Sequence, residues 1–185
     1  MNSIAILGSA RKSKSNTATI LKRLVAGTQC DIVDLKVCSI APYNYAHVYP
    51  DTDEFAAVVH QIVYAPVTII ATPVYWYSYS TPVKIFIDRF SDLLGPHKEL
   101  GRQLKGRHFA LVTSSADPLP DKTLVEAYSR FCEYFEINYL GCAHAQNDGD
   151  FSDPEVVARI RAQLSDGVRS EQVEPGVDMV WARGG

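Results

Sequence analysis

Short, β-branched apolar runs recur along this chain, and between them lie segments whose apolar residues fall at helical spacing. This alternation restricts the fold more than any other feature. Residues 3–8, SIAILG, form the first run, followed by 31–35, 66–72, 107–113 and 137–143. Runs this short predict strands, and the first and third, the most apolar, predict strands buried on both faces. Between them lie single helical faces made by Ile20, Leu21, Leu24 and Val25, by Phe55, Val58, Val59, Ile62 and Val63, and by Val83, Phe86, Ile87, Phe90 and Leu94. Two more follow, one with Leu124, Val125, Tyr128, Phe131, Cys132 and Phe135, the other with Val156, Val157, Ile160 and Leu164. Asp51 with Glu54, Thr81 before Pro82, Asp121, and a capping box of Ser152 with Glu155 predict where four of the helices start.

Five strands alternating with five helices imply an α/β fold, a parallel sheet covered on both faces. Right-handed crossovers leave two common doubly wound orders, 2-1-3-4-5 and 3-2-1-4-5-6, and five strands favour the first. One domain is expected over residues 1–166. The aperiodic tail, 167–185, is expected to be mobile or packed on a partner subunit. Ligands of such sheets bind at the carboxyl ends of the strands, so the loops after strands 1, 3 and 4 are where chemistry belongs.

A chain of 185 residues can bury a core without metal or disulfide staples. Its 46% apolar and 21% charged residues exclude disorder for most of its length. A net charge of −3 gives no field to recruit nucleic acid or an anionic membrane. No apolar run is long enough to span a bilayer. The opening MNSIAILGS has no basic segment before a long apolar stretch, so a cytoplasmic location is expected. Cys30, Cys38, Cys132 and Cys142 form no CxxC pair and no zinc pattern, and are expected to be free thiols in or near the core. No metal site is expected.

Two loops carry the chemistry. Positions 8–17, GSARKSKSNT, join a buried strand to a helix and hold one glycine, four hydroxyl residues, an amide and three cations. Backbone N–H groups, the helix dipole, short donors and counter-charge suit a phosphate monoester. No GK[ST] closes the loop, and one glycine does not make a GxGxxG, so neither a nucleoside triphosphate loop nor a dinucleotide loop is indicated. A merely solvated turn is the bland alternative. Positions 71–82, ATPVYWYSYSTP, place Tyr75, Trp76, Tyr77 and Tyr79 at the same edge of the sheet. Such a cluster covers a flat ligand, fills a core gap or meets another subunit. The neighbouring phosphate loop favours a planar ligand that carries a phosphate.

Together, GSARKSKSNT and TPVYWYSYSTPVKIFIDR at 72–89 resemble the flavodoxin-like NAD(P)H-dependent FMN reductases. The resemblance implies FMN as cofactor, NADPH or NADH as reductant, a small-molecule electron acceptor and a homodimer or homotetramer. It implies that Ser9, Arg11, Ser15, Asn16 and Thr17 hold the phosphate. Pro73, Val74, Tyr75 and Trp76 would lie along the isoalloxazine and ribityl chain, with N–H groups of this turn facing flavin N5 and O4. The loop 113–118 would border the pyrimidine side through Thr113, Ser114 and Ser115. Many relatives have a glycine in that loop, where this chain has Ser114, Ser115 and Ala116. Asp88 and Arg89 read as a structural ion pair rather than as ligands. His47 and His144 could rim a pocket, although surface or satisfied core positions suit them better. A related branch of iron–sulfur flavoproteins is excluded, because Cys38 alone after strand 2 cannot hold a cluster.

The function implied is hydride transfer from a nicotinamide to FMN, then electron transfer to flavin, quinone or a similar acceptor. The cofactor carries the reaction, so no catalytic side chain is required. An electron-carrier flavodoxin without its own NAD(P)H turnover is the main alternative, disfavoured by the small net charge and the cationic first loop. A flavin-free interaction protein would have little use for that loop. Arg11 is the one guanidinium in it and can grip phosphate bidentately. Arg11→Ala should therefore weaken FMN by about 1.5–3 kcal/mol in a calorimetric titration and barely affect riboflavin.

Overall fold

The structure, a computed structural model, describes residues 1–9 and 15–169, with side chains described as far as residue 165. Its strands are β1 (Ser3–Leu7), β2 (Cys30–Asp34), β3 (Val67–Pro73), β4 (His108–Ser115) and β5 (Asn138–Gln146). They form one parallel sheet in the order β2-β1-β3-β4-β5, the order expected from the sequence. The helices are α1 (Asn16–Val25), α2 (Phe55–Tyr64), α3 (Thr81–Asp88), α4 (Lys98–Arg102), α5 (Lys122–Tyr134) and α6 (Pro154–Arg169). α4 is one short helix more than the apolar periodicity predicts. α6 runs past residue 166 to Arg169, and residues 170–185 of the tail lie outside the described residues.

Alternate strand residues face opposite layers. Ile4, Ile6, Ile70, Phe109 and Leu111 pack with α2, α3 and α5. Ala5, Leu7, Ala71, Ala110, Ala143 and Ala145 pack with α1 and α6. Five alanines on the second face let those two helices lie close to the sheet and to each other.

Three helix starts differ from expectation. Ser80 occupies the N-cap of α3, with Thr81 and Pro82 in its first turn, because Thr72 Oγ1 and the Gly8 carbonyl hold Ser80 outside the helix. α2 begins at Phe55. Asp51 does not cap it; Asp53 accepts from the Phe55 N–H, and Glu54 turns back to accept from the Ser39 N–H. The capping box of Ser152 and Glu155 is replaced by Asp153, whose Oδ1 accepts from the N–H groups of Glu155 and Val156. Asp121 caps α5 as expected. The helix predicted through Leu94 becomes a 3₁₀ turn over Arg89–Leu94, which leaves Leu94 half exposed.

The Asp88–Arg89 pair does not form. Neighbours in a helix point apart, and Asp88 pairs with Lys84 one turn back. Arg89 is 1% exposed and turns inward. It makes two bonds to Asp53 (2.8 and 3.1 Å), one to Asp92 (2.7 Å) and one to the Ala41 carbonyl (2.9 Å). The Tyr49 ring covers its guanidinium at 3.4 Å and the Phe55 ring lies at 4.6 Å. Tyr49 Oη donates to Asp92, and His47 Nδ1 meets the same carboxylate at 2.8 Å. This network pins the long connection between β2 and α2 onto the end of α3.

β5 contains a bulge. Phe109 pairs with Tyr139, but Leu111 pairs with Cys142, so β5 carries one extra residue there. Gly141 supplies the required backbone with φ +115°. Arg159 of α6 donates to the Leu140 carbonyl at 2.7 Å, satisfying an acceptor within the bulge. The extra residue flips the alternation beyond it. Cys142 therefore faces the α5 layer, and Ala143 and Ala145 face the α1–α6 layer.

Burial, the largest single influence, would raise the Asp53 and Asp92 carboxyls, but the hydrogen bonds and charge of Arg89, with the Ala41 and Phe55 N–H groups on Asp53 and with His47 and Tyr49 on Asp92, together hold both below the usual carboxylate range. Their pairing stabilises the fold fully above the ordinary carboxylate pKa near 4. That contribution is lost as pH falls below it. Arg89→Ala leaves two carboxylates without their counter-charge and should cost about 3–5 kcal/mol in denaturant unfolding at neutral pH. The deficit relative to the unsubstituted protein should shrink below about pH 4, where the carboxylates protonate.

Candidate functional site

The carboxyl ends of β1, β3 and β4 open on one cleft of about 190 Å³. Ser9, Ser15, Asn16, Thr17, Pro73, Val74, Tyr75, Ser114, Ser115, Ala116 and Asn147 line it. Nine of these are candidates read from the sequence; Ala116 and Asn147 are not.

One wall is the start of α1. Ser15 caps it, accepting from the Ala18 N–H at 3.1 Å, so the capping side chain and the helix N-terminus open on the cleft. Thr17 is buried and shares a 2.7 Å hydrogen bond with Ser114, tying α1 to β4. Gly8 lets the chain leave β1 tightly: a methyl group there would run into Val83, while Ser80 donates to its carbonyl. Arg11, with the other cations of this loop, lies outside the described residues.

The second wall leaves β3 at Pro73. The Val74 N–H donates to the Ser114 carbonyl at 2.9 Å. Tyr75 and Ser78 exchange two backbone bonds of 3.0 and 3.1 Å, closing a two-residue hairpin. Trp76 (φ 50°) and Tyr77 (φ 62°) both take the left-handed conformation that such a turn requires. Neither is glycine or asparagine, and each position costs of order 1 kcal/mol. Tyr75 and Val74 therefore have no N–H to offer a ligand, contrary to the broad expectation for this turn. The N–H groups of Trp76 and Tyr77 have no acceptor among the described residues.

The aromatic cluster divides. Tyr79 packs against the core, and Tyr49 covers Arg89. Tyr43 stacks edge-on with Tyr45 and His47. Trp76 is 93% exposed, and Tyr77 and Tyr75 are also exposed. Trp76 does not line the cleft but stands at the hairpin tip beside it.

The third wall is the end of β4. Thr113 is buried, does not line the cleft, and meets His144 Nδ1 at 2.9 Å. His144 is fully buried, and His47 is held by Asp92, so neither rims the cleft. Asn147, at φ 53°, reaches the cleft from the end of β5. Its signal in the sequence was the polar turn QNDGD after strand 5, at the same edge as the other loops.

Among the described residues, no carboxylate lines the cleft and Tyr75 is the one titratable side chain that does. No cysteine is among the described residues that line the cleft; all four are free, and burial pushes Cys132 and Cys142 up to about 12. They are weak nucleophiles at neutral pH.

A five-stranded doubly wound sheet in the order β2-β1-β3-β4-β5, with a hydroxyl-rich helix start at its switch point, defines the flavodoxin-like class of α/β proteins. Within that class, the chain belongs to the NADPH-dependent FMN reductase family, whose model matches residues 1–164. It is 29% identical over 96 residues to YwqN of Bacillus subtilis strain 168, provisionally named an NAD(P)H-dependent FMN-containing oxidoreductase. That alignment spans 49% of this chain and 53% of YwqN, about half of each. In structure the chain is similar to a Trp repressor binding protein from Bacillus subtilis, with TM-score 0.60 and 18% identity over 94% of this chain and 99% of that one. It also resembles an FMN-dependent NADH-azoreductase from Bacillus anthracis solved with FMN, with TM-score 0.58 and 12% identity over 92% of this chain and 99% of that one. At such identities these structures establish the fold alone.

Proposed function

We propose that this protein is an FMN-dependent NAD(P)H oxidoreductase that reduces a small flavin- or quinone-like acceptor. One observation carries the reading: one cleft brings the N-terminus of α1 together with the hairpin after β3 and the end of β4, and among the described residues no carboxylate lines it. The donor set fits FMN. Ser9, Ser15, Asn16 and Thr17 supply hydroxyls, an amide and a helix N-terminus for a dianionic phosphate, with Arg11 as counter-charge. Pro73, Val74 and Tyr75 offer a flat edge to an aromatic ring, and Trp76 N–H is an open donor beside it. Ser114 and Ser115 form the opposite wall, and Thr113 takes part only through its bond to His144. Bound FMN would accept hydride from a nicotinamide and pass electrons to the acceptor. The chain's part is to bind and orient. Its strand-end loops fix the ring, and Thr17 with Ser114 keeps two walls at a set distance.

A cleft of about 190 Å³ is smaller than the roughly 300–1,000 Å³ that encloses a drug-sized ligand. It grips one side of the ligand and leaves the other open. Trp76 at 93% exposure and Tyr45 at 90% give apolar surface for a second copy, which would complete the site. A homodimer or homotetramer follows.

Calorimetric titration should give FMN binding at micromolar affinity or better, and the loaded protein should oxidise NADPH or NADH when an acceptor is present. Absence of FMN binding would overturn the reading, and binding without NAD(P)H oxidation would favour the electron carrier. In sedimentation, the FMN-loaded protein should run as a dimer or larger even assembly at micromolar concentration. A single species of about 20 kDa, the 20.5 kDa of one chain, would remove the shared site.

A further inference from the structure

Four consecutive carbonyls at the end of β4 each accept a hydrogen bond from within the protein. The Ser114 carbonyl accepts from the Val74 N–H at 2.9 Å, and the Ser115 carbonyl from the Asn147 N–H at 2.7 Å. The Ala116 carbonyl accepts from Gln146 Nε2 at 2.7 Å. The Asp117 carbonyl faces His144 Nε2 at 3.0 Å. A carbonyl oxygen only accepts, so His144 carries its hydrogen on Nε2. In the neutral ring Nδ1 then accepts from the Thr113 hydroxyl at 2.9 Å, and Thr113 can accept in turn from the Cys142 thiol at 3.4 Å.

Three of the four donors come from β5 or the residue just after it. The bulge at Gly141 allows this, because it sets which face His144 occupies. Loops of this kind with a glycine can turn a peptide group either way at little cost. Here Ser115 and Ala116 lack that freedom, and the β5 donors fix the peptide orientation instead. The Ala116 N–H has no acceptor among the described residues, and Ala116 lines the cleft. With the carbonyls engaged, this wall offers the cleft the Ala116 N–H, in the peptide group whose Ser115 carbonyl meets Asn147, while Ser114 Oγ is shared with Thr17 and Ser115 Oγ with the Asp117 backbone.

We propose that Gln146 and His144 are positioning residues that lock the 115–117 peptide groups so that this wall presents donors to the ligand ring. The proposal rests on the reading of the cleft as a flavin site. A donor wall favours a ring that has gained electrons, because it stabilises the added negative charge. Neither residue lines the cleft, and each acts through a backbone carbonyl.

Gln146 is exposed, so its loss leaves the core intact. Three variants test the idea: Gln146→Ala, His144→Gln and His144→Asn. In the flavin-free protein, Gln146→Ala should speed hydrogen exchange at the Asn147 and Asp117 amides, which bond to Ser115. It should weaken FMN and riboflavin by the same factor, about three- to tenfold, the size of one neutral hydrogen bond. The midpoint potential of bound FMN should fall. His144→Gln can place an amide N–H where Nε2 stood and should keep both affinities near those of the unsubstituted protein. His144→Asn falls short of Asp117 and should lose them as Gln146→Ala does. Unchanged exchange in Gln146→Ala, a loss for FMN that riboflavin does not share, or equal damage in the two His144 variants would overturn the positioning role. An unsubstituted protein that binds neither flavin would instead overturn the proposed function, and the exchange measurement would still decide whether the clamp orders the wall.

Discussion

A parallel sheet covered by helices on both faces brings the carboxyl ends of all its strands to one edge, where the connections to the following helices begin. The rest of the molecule depends on this constraint. It gathers the first turn of α1, the hairpin after β3 and the end of β4 without any residue having to seek another across the fold. It also directs the N-terminus of α1 at the cleft, so a site suited to an anion arises from the connectivity itself. The ladder fixes how these ends align, for Pro73 pairs with Ser114 and Ser115 with Gln146. From that register follow the Val74–Ser114 and Asn147–Ser115 backbone bonds that shape the walls.

Two polar devices hold this edge in shape. Arg89, enclosed by two carboxylates and two aromatic rings, ties the β2–α2 connection to α3. Such a buried group is costly to desolvate and is tolerated only because each of its hydrogen-bonding sides is met. The smaller device joins Gly8, Thr72 and Ser80 at the centre of the edge. It fixes the exit of β1 against the entry of α3, and no side chain larger than hydrogen fits at Gly8. The strained turn at Trp76 and Tyr77 lies on this rigid base, as expected of a loop whose conformation is retained for what it presents rather than for stability.

By itself, the sequence determined the alternation of elements, the order of the strands and the edge where a ligand would meet them. Those follow from periodicity, which is local: Ile20, Leu21 and Leu24 lie on one face whatever surrounds them. The candidate residues at 9, 15–17, 73–75 and 114–115 were legible for the same reason, since residues just past a buried strand must reach the site edge. Only the tertiary structure decided the partner of Arg89. Asp53 lies 36 positions away, and no local pattern tells it from Asp88 next door. The same holds for His144. The period-2 rule assigns it one face of β5, and the bulge at Gly141 moves it to the other, beside Thr113 and the Asp117 carbonyl. Asn147 reaches the cleft because the ladder brings the end of β5 level with that of β4. Pairing across distant strands is settled by register and burial, which depend on the whole sheet, whereas a residue's neighbours in sequence fix only the element it belongs to.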